Sequence, residues 1–149
     1  LNQIISESLK LHELSGSKIK FFLTQVKESN YILGDEEQLR RVFVNLIKNS
    51  IESIYEKKNK NVDFKGKIDI DIRDDSDYIY ATVIDNGVGF ARVDKEKMLT
   101  PYFTTKKNGT GLGLAIVSKI ISDHNSVIFF KAINDGAEVE IIIPKYYDK

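Results

Sequence analysis

Two glycine clusters, Asp85-Asn86-Gly87-Val88-Gly89-Phe90 and Gly109-Thr110-Gly111-Leu112-Gly113-Leu114, bracket a polar stretch of about twenty residues. Glycine suits sharp turns and close backbone approach to a ligand, so the pair predicts two hinges around a nucleotide. The segment at about 91–110 would be free to close over that nucleotide. The second cluster is not a dinucleotide fingerprint, because its spacing is Gly-x-Gly-x-Gly and the polar run Thr104-Thr105-Lys106-Lys107-Asn108 precedes it where a strand should stand. It is not a P-loop either, since no Gly-Lys-Ser/Thr follows. What is left is a glycine-rich turn at a helix start, where unpaired N–H groups and the helix dipole favour a phosphate. Thr104, Thr105, Lys106 and Lys107 would add hydroxyl and cationic contacts, although their composition suits a solvated loop equally well.

Around these clusters the hydrophobic periods outline a sheet and a helical layer. Asp35 is a helix N-cap with Gln38 three places on, and Leu39, Val42, Phe43, Leu46, Ile47, Ser50 and Ile54 repeat at helical spacing through about Tyr55. The polar run Glu56 to Asn61 reads as an exposed loop. Lys18 to Leu23 and Tyr31 to Leu33 read as short strands. Lys67 to Arg73 and Tyr78 to Ile84 alternate and are joined by Asp74-Asp75-Ser76-Asp77, which predicts a hairpin. Residues 91 to 110 lack a sustained apolar period, whereas Leu112 to Asp123 resumes helical spacing. A second hairpin, Val127 to Ala132 and Ala137 to Ile143, turns at Asn134-Asp135-Gly136. The fold class expected is an α/β (α+β) two-layer sandwich, a mixed and mostly antiparallel sheet with helices on one face.

Composition narrows the possible functions. At 149 residues the chain can bury roughly 70% of its unfolded surface in one core. Lys+Arg and Asp+Glu both number 22, and zero net charge argues against nucleic acid as a partner. The absence of cysteine excludes disulfides, thiolate chemistry and Cys-type zinc sites, and suits a reducing compartment. No apolar run approaches the roughly 20 residues that span a bilayer. The chain opens on Leu1, Ile4, Ile5, Ser8, Leu9 and Leu11 at helical spacing, which reads as the end of a longer helix in a longer protein.

Two side-chain groups stand out as chemistry. Asn45 and Asn49 lie one turn apart on the long helix with Lys48 and Glu52 near the same face, a polar stripe that is either solvated surface or a site. A carboxamide oxygen suits Mg²⁺, a hard cation that often bridges to phosphates. Asp85 ends an apolar strand and leads into Asn86-Gly87. That is either an ordinary Asx turn or a carboxylate placed to accept from the exocyclic amine of adenine, with Gly87 and Gly89 clearing room for a flat base.

The order Asn-x-x-x-Asn helix, Asp-x-Gly-x-Gly turn, Pro101-Tyr102-Phe103-Thr104-Thr105-Lys106, then Gly109-Thr110-Gly111-Leu112-Gly113-Leu114 resembles the N, G1, F and G2 boxes of the ATP-binding catalytic domain of sensor histidine kinases. These domains belong to the GHKL superfamily and have the Bergerat-type sandwich. The resemblance covers about residues 18 to 144. It implies ATP and Mg²⁺ as ligands, with Asn49 on the metal, Asn45 and Lys48 near the phosphates and Asp85 on the adenine amine. Gly87 and Gly89 would lie beside the base, and residues at about 91–110 would form the ATP lid. Tyr102, Phe103, Thr104, Thr105, Lys106, Gly109, Thr110, Gly111, Leu112, Gly113 and Leu114 would complete the site, and Gly136-Ala137 resembles a weak final glycine box. Many members carry a basic residue where this chain has Glu52, and Lys48 is placed to supply that charge. Thr104-Thr105-Lys106 with Lys48 and Glu52 is most similar to nitrogen-regulation kinases of the NtrY or NtrB type.

In the related gyrase, Hsp90 and MutL ATPases a glutamate matching Asn45 activates water, a role asparagine cannot fill, so the resemblance implies transfer to a protein acceptor and weak ATPase activity. His12-Glu13 looks like the acceptor pair of such kinases, yet Leu14-Ser15-Gly16-Ser17 lacks the usual proline or threonine. Residues 1–16 are therefore read as the exit of the dimerisation hairpin and its linker, and 17–149 as the catalytic domain. His124 reads as a cap partner at a helix C-terminus. The implied partners are the histidine-bearing dimerisation domain of the same protein and a downstream response regulator. The implied assembly is a monomeric fragment of a homodimer, and the implied location is the cytoplasmic part of a membrane-bound bacterial sensor. The alternatives are an anti-sigma-factor-type serine kinase and a nucleotide sensor without catalysis.

Overall fold

The computed structural model describes residues 1–13, 18–27, 31–90 and 113–147. Its elements run α1 (Asn2–Glu13), β1 (Lys20–Thr24), α2 (Glu36–Lys60), β2 (Lys67–Asp74), β3 (Tyr78–Asp85), α3 (Gly113–Asp123), β4 (Val127–Ile133) and β5 (Gly136–Pro144). The five strands form one sheet in the order β1-β2-β3-β5-β4. β1 is parallel to β2, a pairing that needs a crossover, and α2 supplies it. The other three pairs are antiparallel, so the sheet is mixed and mostly antiparallel as expected. β5 lies between β3 and β4, and its register sets Asp85 opposite Ala137.

α2 is the spine of the helical layer. The Asp35 carboxylate accepts from the Gln38 N–H at 3.0 Å, and Glu36 and Glu37 sit in the first turn where the dipole favours negative charge. All seven positions at helical spacing, Leu39, Val42, Phe43, Leu46, Ile47, Ser50 and Ile54, are buried. They meet Ile68, Ile70 and Ile72 of β2 and Ile79, Ala81 and Val83 of β3, which line the same face of the sheet. The opposite face is polar, with Glu140 paired to Arg73 at 2.9 Å and to Lys131 at 3.3 Å.

Two elements depart from the sequence expectation. Glu56 to Lys60 is the last turn of α2, and the loop expected there begins only at the C-cap Asn61. Glutamate and lysine are good helix formers, and Lys57, Lys58 and Lys60 lie where the dipole favours cations. Tyr31 to Leu33 is not a strand. Tyr31 and Leu33 are exposed, and the segment touches the end of the sheet through the Tyr146 N–H donating to the Tyr31 carbonyl at 2.8 Å.

α1 packs onto α2 through Ile4, Ile5 and Leu9, which belong to the main core. Glu7 pairs with Arg40 of α2, and Asn2 donates to the Val26 carbonyl at 3.2 Å. Burial holds the His12 imidazole below its ordinary value of 6.5, and the Lys48 ammonium adds to that, against a backbone bond with Val44. An imidazole harder to protonate when folded takes its proton preferentially in the unfolded chain. Its stabilisation is therefore full above the ordinary value and is lost as pH falls below it. Melting temperature should drop more between about pH 7.5 and 5.5 in the wild type than in His12→Gln. Equal drops would refute the assignment.

Candidate functional site

Asp85 is the last residue of β3 and continues the inward-facing series Ile79, Ala81, Val83. A carboxylate is thus carried to the edge of an apolar face, where it is only 6% exposed. Burying a charge is costly unless it is hydrogen-bonded. Its Oδ1 accepts from the Gly87 N–H at 2.9 Å, which makes the Asx turn and leaves a carboxylate able to accept further donors.

The turn is sewn to its surroundings by Asn86. The Asn86 N–H donates to the Lys67 carbonyl at 3.3 Å, the Asn86 Oδ1 accepts from the Lys67 N–H at 2.8 Å, and the Asn86 Nδ2 donates to the Lys65 carbonyl at 3.0 Å. On the other side the Val88 N–H reaches the Ser53 carbonyl of α2 at 3.4 Å. The Phe90 ring then meets Phe130 of β4 edge-on, with centroids 6.0 Å apart.

The glycines of this turn have a reason that the sequence did not disclose. A Cβ on Gly87 would stand 2.3 Å from Ser53 Oγ and 2.6 Å from the Ser53 carbonyl carbon, so α2 occupies the space a side chain would need. Gly89 has φ +72°, and its Cβ would lie 2.4 Å from the Gly136 carbonyl oxygen. A Cβ on Gly136 would lie 1.9 Å from the Asp85 carbonyl oxygen. Three backbones, those of α2, the Asp85 turn and the start of β5, approach too closely for side chains. Gly136, which the sequence gives as a weak final box, is the tightest of them.

Asn45 and Asn49 are half-buried on α2, and Lys48 between them is exposed. A Cβ on Gly113 would meet the Asn45 Oδ1 at 3.8 Å, so the carboxamide stands beside the first residue of α3. The N-box helix and the end of the second glycine cluster are thereby brought together. Leu114 follows, half-buried against the core. Tyr102, Phe103, Thr104, Thr105, Lys106, Gly109, Thr110, Gly111 and Leu112 lie outside the described residues, as does the expected lid at about 91–110. At the far end of α3 the His124 ring bonds the Ile120 carbonyl through Nδ1 at 2.7 Å and accepts the Asp35 N–H through Nε2 at 3.0 Å. It caps one helix and ties it to the start of another.

As for metal, the described residues hold no cluster of three or more His, Cys, Asp or Glu side chains. Mg²⁺ requires no such cage, since it keeps several waters and takes one or two protein oxygens alongside substrate phosphates. The Asn49 carboxamide, one turn from Asn45, fits that donor set.

Residues 34–147 match the family of histidine kinase-, DNA gyrase B- and HSP90-like ATPases. The chain is 35% identical over 148 residues to sporulation kinase A of Bacillus subtilis, covering 97% of this chain and 23% of that protein. It is 36% identical over 148 residues to the sensor histidine kinase ZraS of Salmonella typhimurium, covering 97% of this chain and 30% of that protein. Among solved structures, the catalytic domain of histidine kinase ThkA superposes with a TM-score of 0.82 at 32% identity, over 97% of this chain and 92% of that one. The fold is that of a histidine kinase catalytic domain. The chain belongs to the GHKL family, with the ATP-binding catalytic domains of sensor histidine kinases. It spans about a quarter to a third of the length of these curated relatives. They do not favour the serine-kinase or sensor alternatives.

Proposed function

We propose that this domain binds Mg-ATP between α2, the Asp85 turn and the start of α3, and presents the γ-phosphate to a histidine on a dimerisation domain of the same protein. The observation that carries this reading is the placement of the Asn45 carboxamide against Gly113 on the same helix that anchors the Asp85 turn. Asp85 accepts from the adenine amine. Asn45 and Lys48 face the phosphates, with the N-terminus of α3 adding dipole and N–H groups. Asn49 offers its oxygen to Mg²⁺, which would neutralise phosphate charge when bound. Tyr102, Phe103, Thr104, Thr105, Lys106, Gly109, Thr110, Gly111 and Leu112 enclose the nucleotide in this reading.

In the reaction an imidazole nitrogen forms a bond to the γ-phosphorus as the bond to the bridging oxygen breaks, and ADP leaves. Catalysis is mostly positioning and electrostatics, and nothing at Asn45 can take a proton from water. The dimerisation hairpin joins through residues 1–16, and the full protein is a homodimer that hands its phosphoryl group to a response regulator. It works in the cytoplasm as part of a membrane-bound sensor. No helix among the described residues is long and apolar enough to cross a membrane. The nitrogen-regulation type rests on Thr104-Thr105-Lys106, Lys48 and Glu52 alone.

The test mixes the chain with its separately produced dimerisation domain and γ-labelled ATP. Acid-labile, base-stable label on that domain is expected, with only slow ATP hydrolysis by the chain alone. Acid-stable label on serine, or rapid steady-state hydrolysis by the isolated chain, would overturn the proposal.

A further inference from the structure

Lys57 stands in the last turn of α2, in the stretch whose composition suggests a loop. Its Nζ donates to the Asn86 carbonyl at 3.1 Å and lies 4.7 Å from the centroid of the Phe64 ring, so the ammonium is held from two directions. The Asn86 carbonyl and the Gly87 N–H belong to one peptide group. That group is planar, so fixing the direction of its oxygen fixes the direction of its N–H. The Gly87 N–H is the donor to Asp85 Oδ1 at 2.9 Å. A cation on the carbonyl also polarises the peptide and strengthens its N–H as a donor.

Resting on the reading that Asp85 accepts from the adenine amine, we propose that Lys57 is a positioning residue for Asp85. It acts through the Asn86–Gly87 peptide, and its effect is selectivity for adenine. Asn86 already fixes the near side of this peptide to Lys65 and Lys67. Lys57 fixes the far side to α2. Together they hold the carboxylate at one orientation before nucleotide arrives. A site without that preorganisation would still hold the triphosphate through α2 and α3 while discriminating poorly at the base.

The experiment compares ATP with inosine triphosphate, which carries a carbonyl where adenine has its amine, as ligands of the whole chain. Wild type, Lys57→Met, Lys57→Arg and Asp85→Asn are titrated with each. Methionine keeps the apolar stem and the helix propensity while removing the charge. Lys57→Met is expected to lower the preference for ATP over inosine triphosphate by about fivefold, the scale of coupling within one hydrogen-bond network. Its affinity for inosine triphosphate should stay within about twofold, and Lys57→Arg should restore most of the preference. Equal weakening of both nucleotides marks a structural role and overturns the proposal. A preference lost in Asp85→Asn but intact in Lys57→Met overturns it alone, whereas a preference intact in Asp85→Asn overturns the adenine reading and this inference with it.

Discussion

Asp85→Ala is expected to weaken ATP binding by roughly 100-fold while leaving the fold in place. A hydrogen bond to a buried charged group contributes about 1.5–3 kcal/mol, and each 1.4 kcal/mol is about tenfold in affinity. The carboxylate is also the acceptor that closes the Gly87 turn, so alanine removes the proposed adenine contact and loosens its mount at once. Calorimetric titration with ATP, beside a far-ultraviolet dichroism spectrum matching wild type, is the measurement. Tight binding retained by a folded Asp85→Ala protein would refute the assigned pocket. Asp85→Asn separates the two effects, because its amide oxygen still accepts from the Gly87 N–H while its charge is gone.

Gly136→Ala is expected to cost about 3 kcal/mol or more of stability, a fall of roughly 10 °C in melting temperature for a domain of this size. The added carbon would lie 1.9 Å from the Asp85 carbonyl oxygen and 2.9 Å from the Asp85 carbonyl carbon. Neither neighbour is a side-chain tip that can swing aside. β5 must shift against β3, and Asp85 shifts with it, so ATP affinity should fall even well below the melting point. For stability alone Gly113→Ala is the control, because among the described residues its Cβ would meet only the Asn45 Oδ1, at an ordinary 3.8 Å. A Gly136→Ala protein melting within about 2 °C of wild type would show that the backbones relax easily.

These two residues also show how much of the molecule its sequence discloses. Periodic burial is written plainly, since all seven predicted core positions of α2 are buried, as are Ile68, Ile70 and Ile72 of β2. Both hairpins turn at Asp-rich or Asn-Asp-Gly segments whose chemistry is local; Asp75, for instance, accepts from the Tyr78 and Asp77 N–H groups at 2.8 and 2.9 Å. Contacts distant in sequence are not written that way. The last turn of α2 carries no apolar signal, and it leans on the molecule through a polar contact, that of the Lys57 ammonium. Tyr31-Ile32-Leu33 has strand composition but finds no ladder. The glycines of the first cluster and Gly136 read in sequence as parts of a nucleotide site, yet what crowds Gly87, Gly89 and Gly136 is α2 and neighbouring backbone, and that needs coordinates to see.

The insertion of β5 between β3 and β4 has a consequence in time. A ribosome making about 5–20 residues per second would take several seconds to pass from Asp85 at the end of β3 to Gly136 at the start of β5. Through that interval β3 has only β2 beside it, and its other edge is an open row of donors and acceptors of the kind that recruits foreign strands. The Asp85 turn therefore gains its Gly136 and Ala137 neighbours only late in synthesis. That edge closes only when β5, carrying β4 on its outer side as a hairpin, docks against β3.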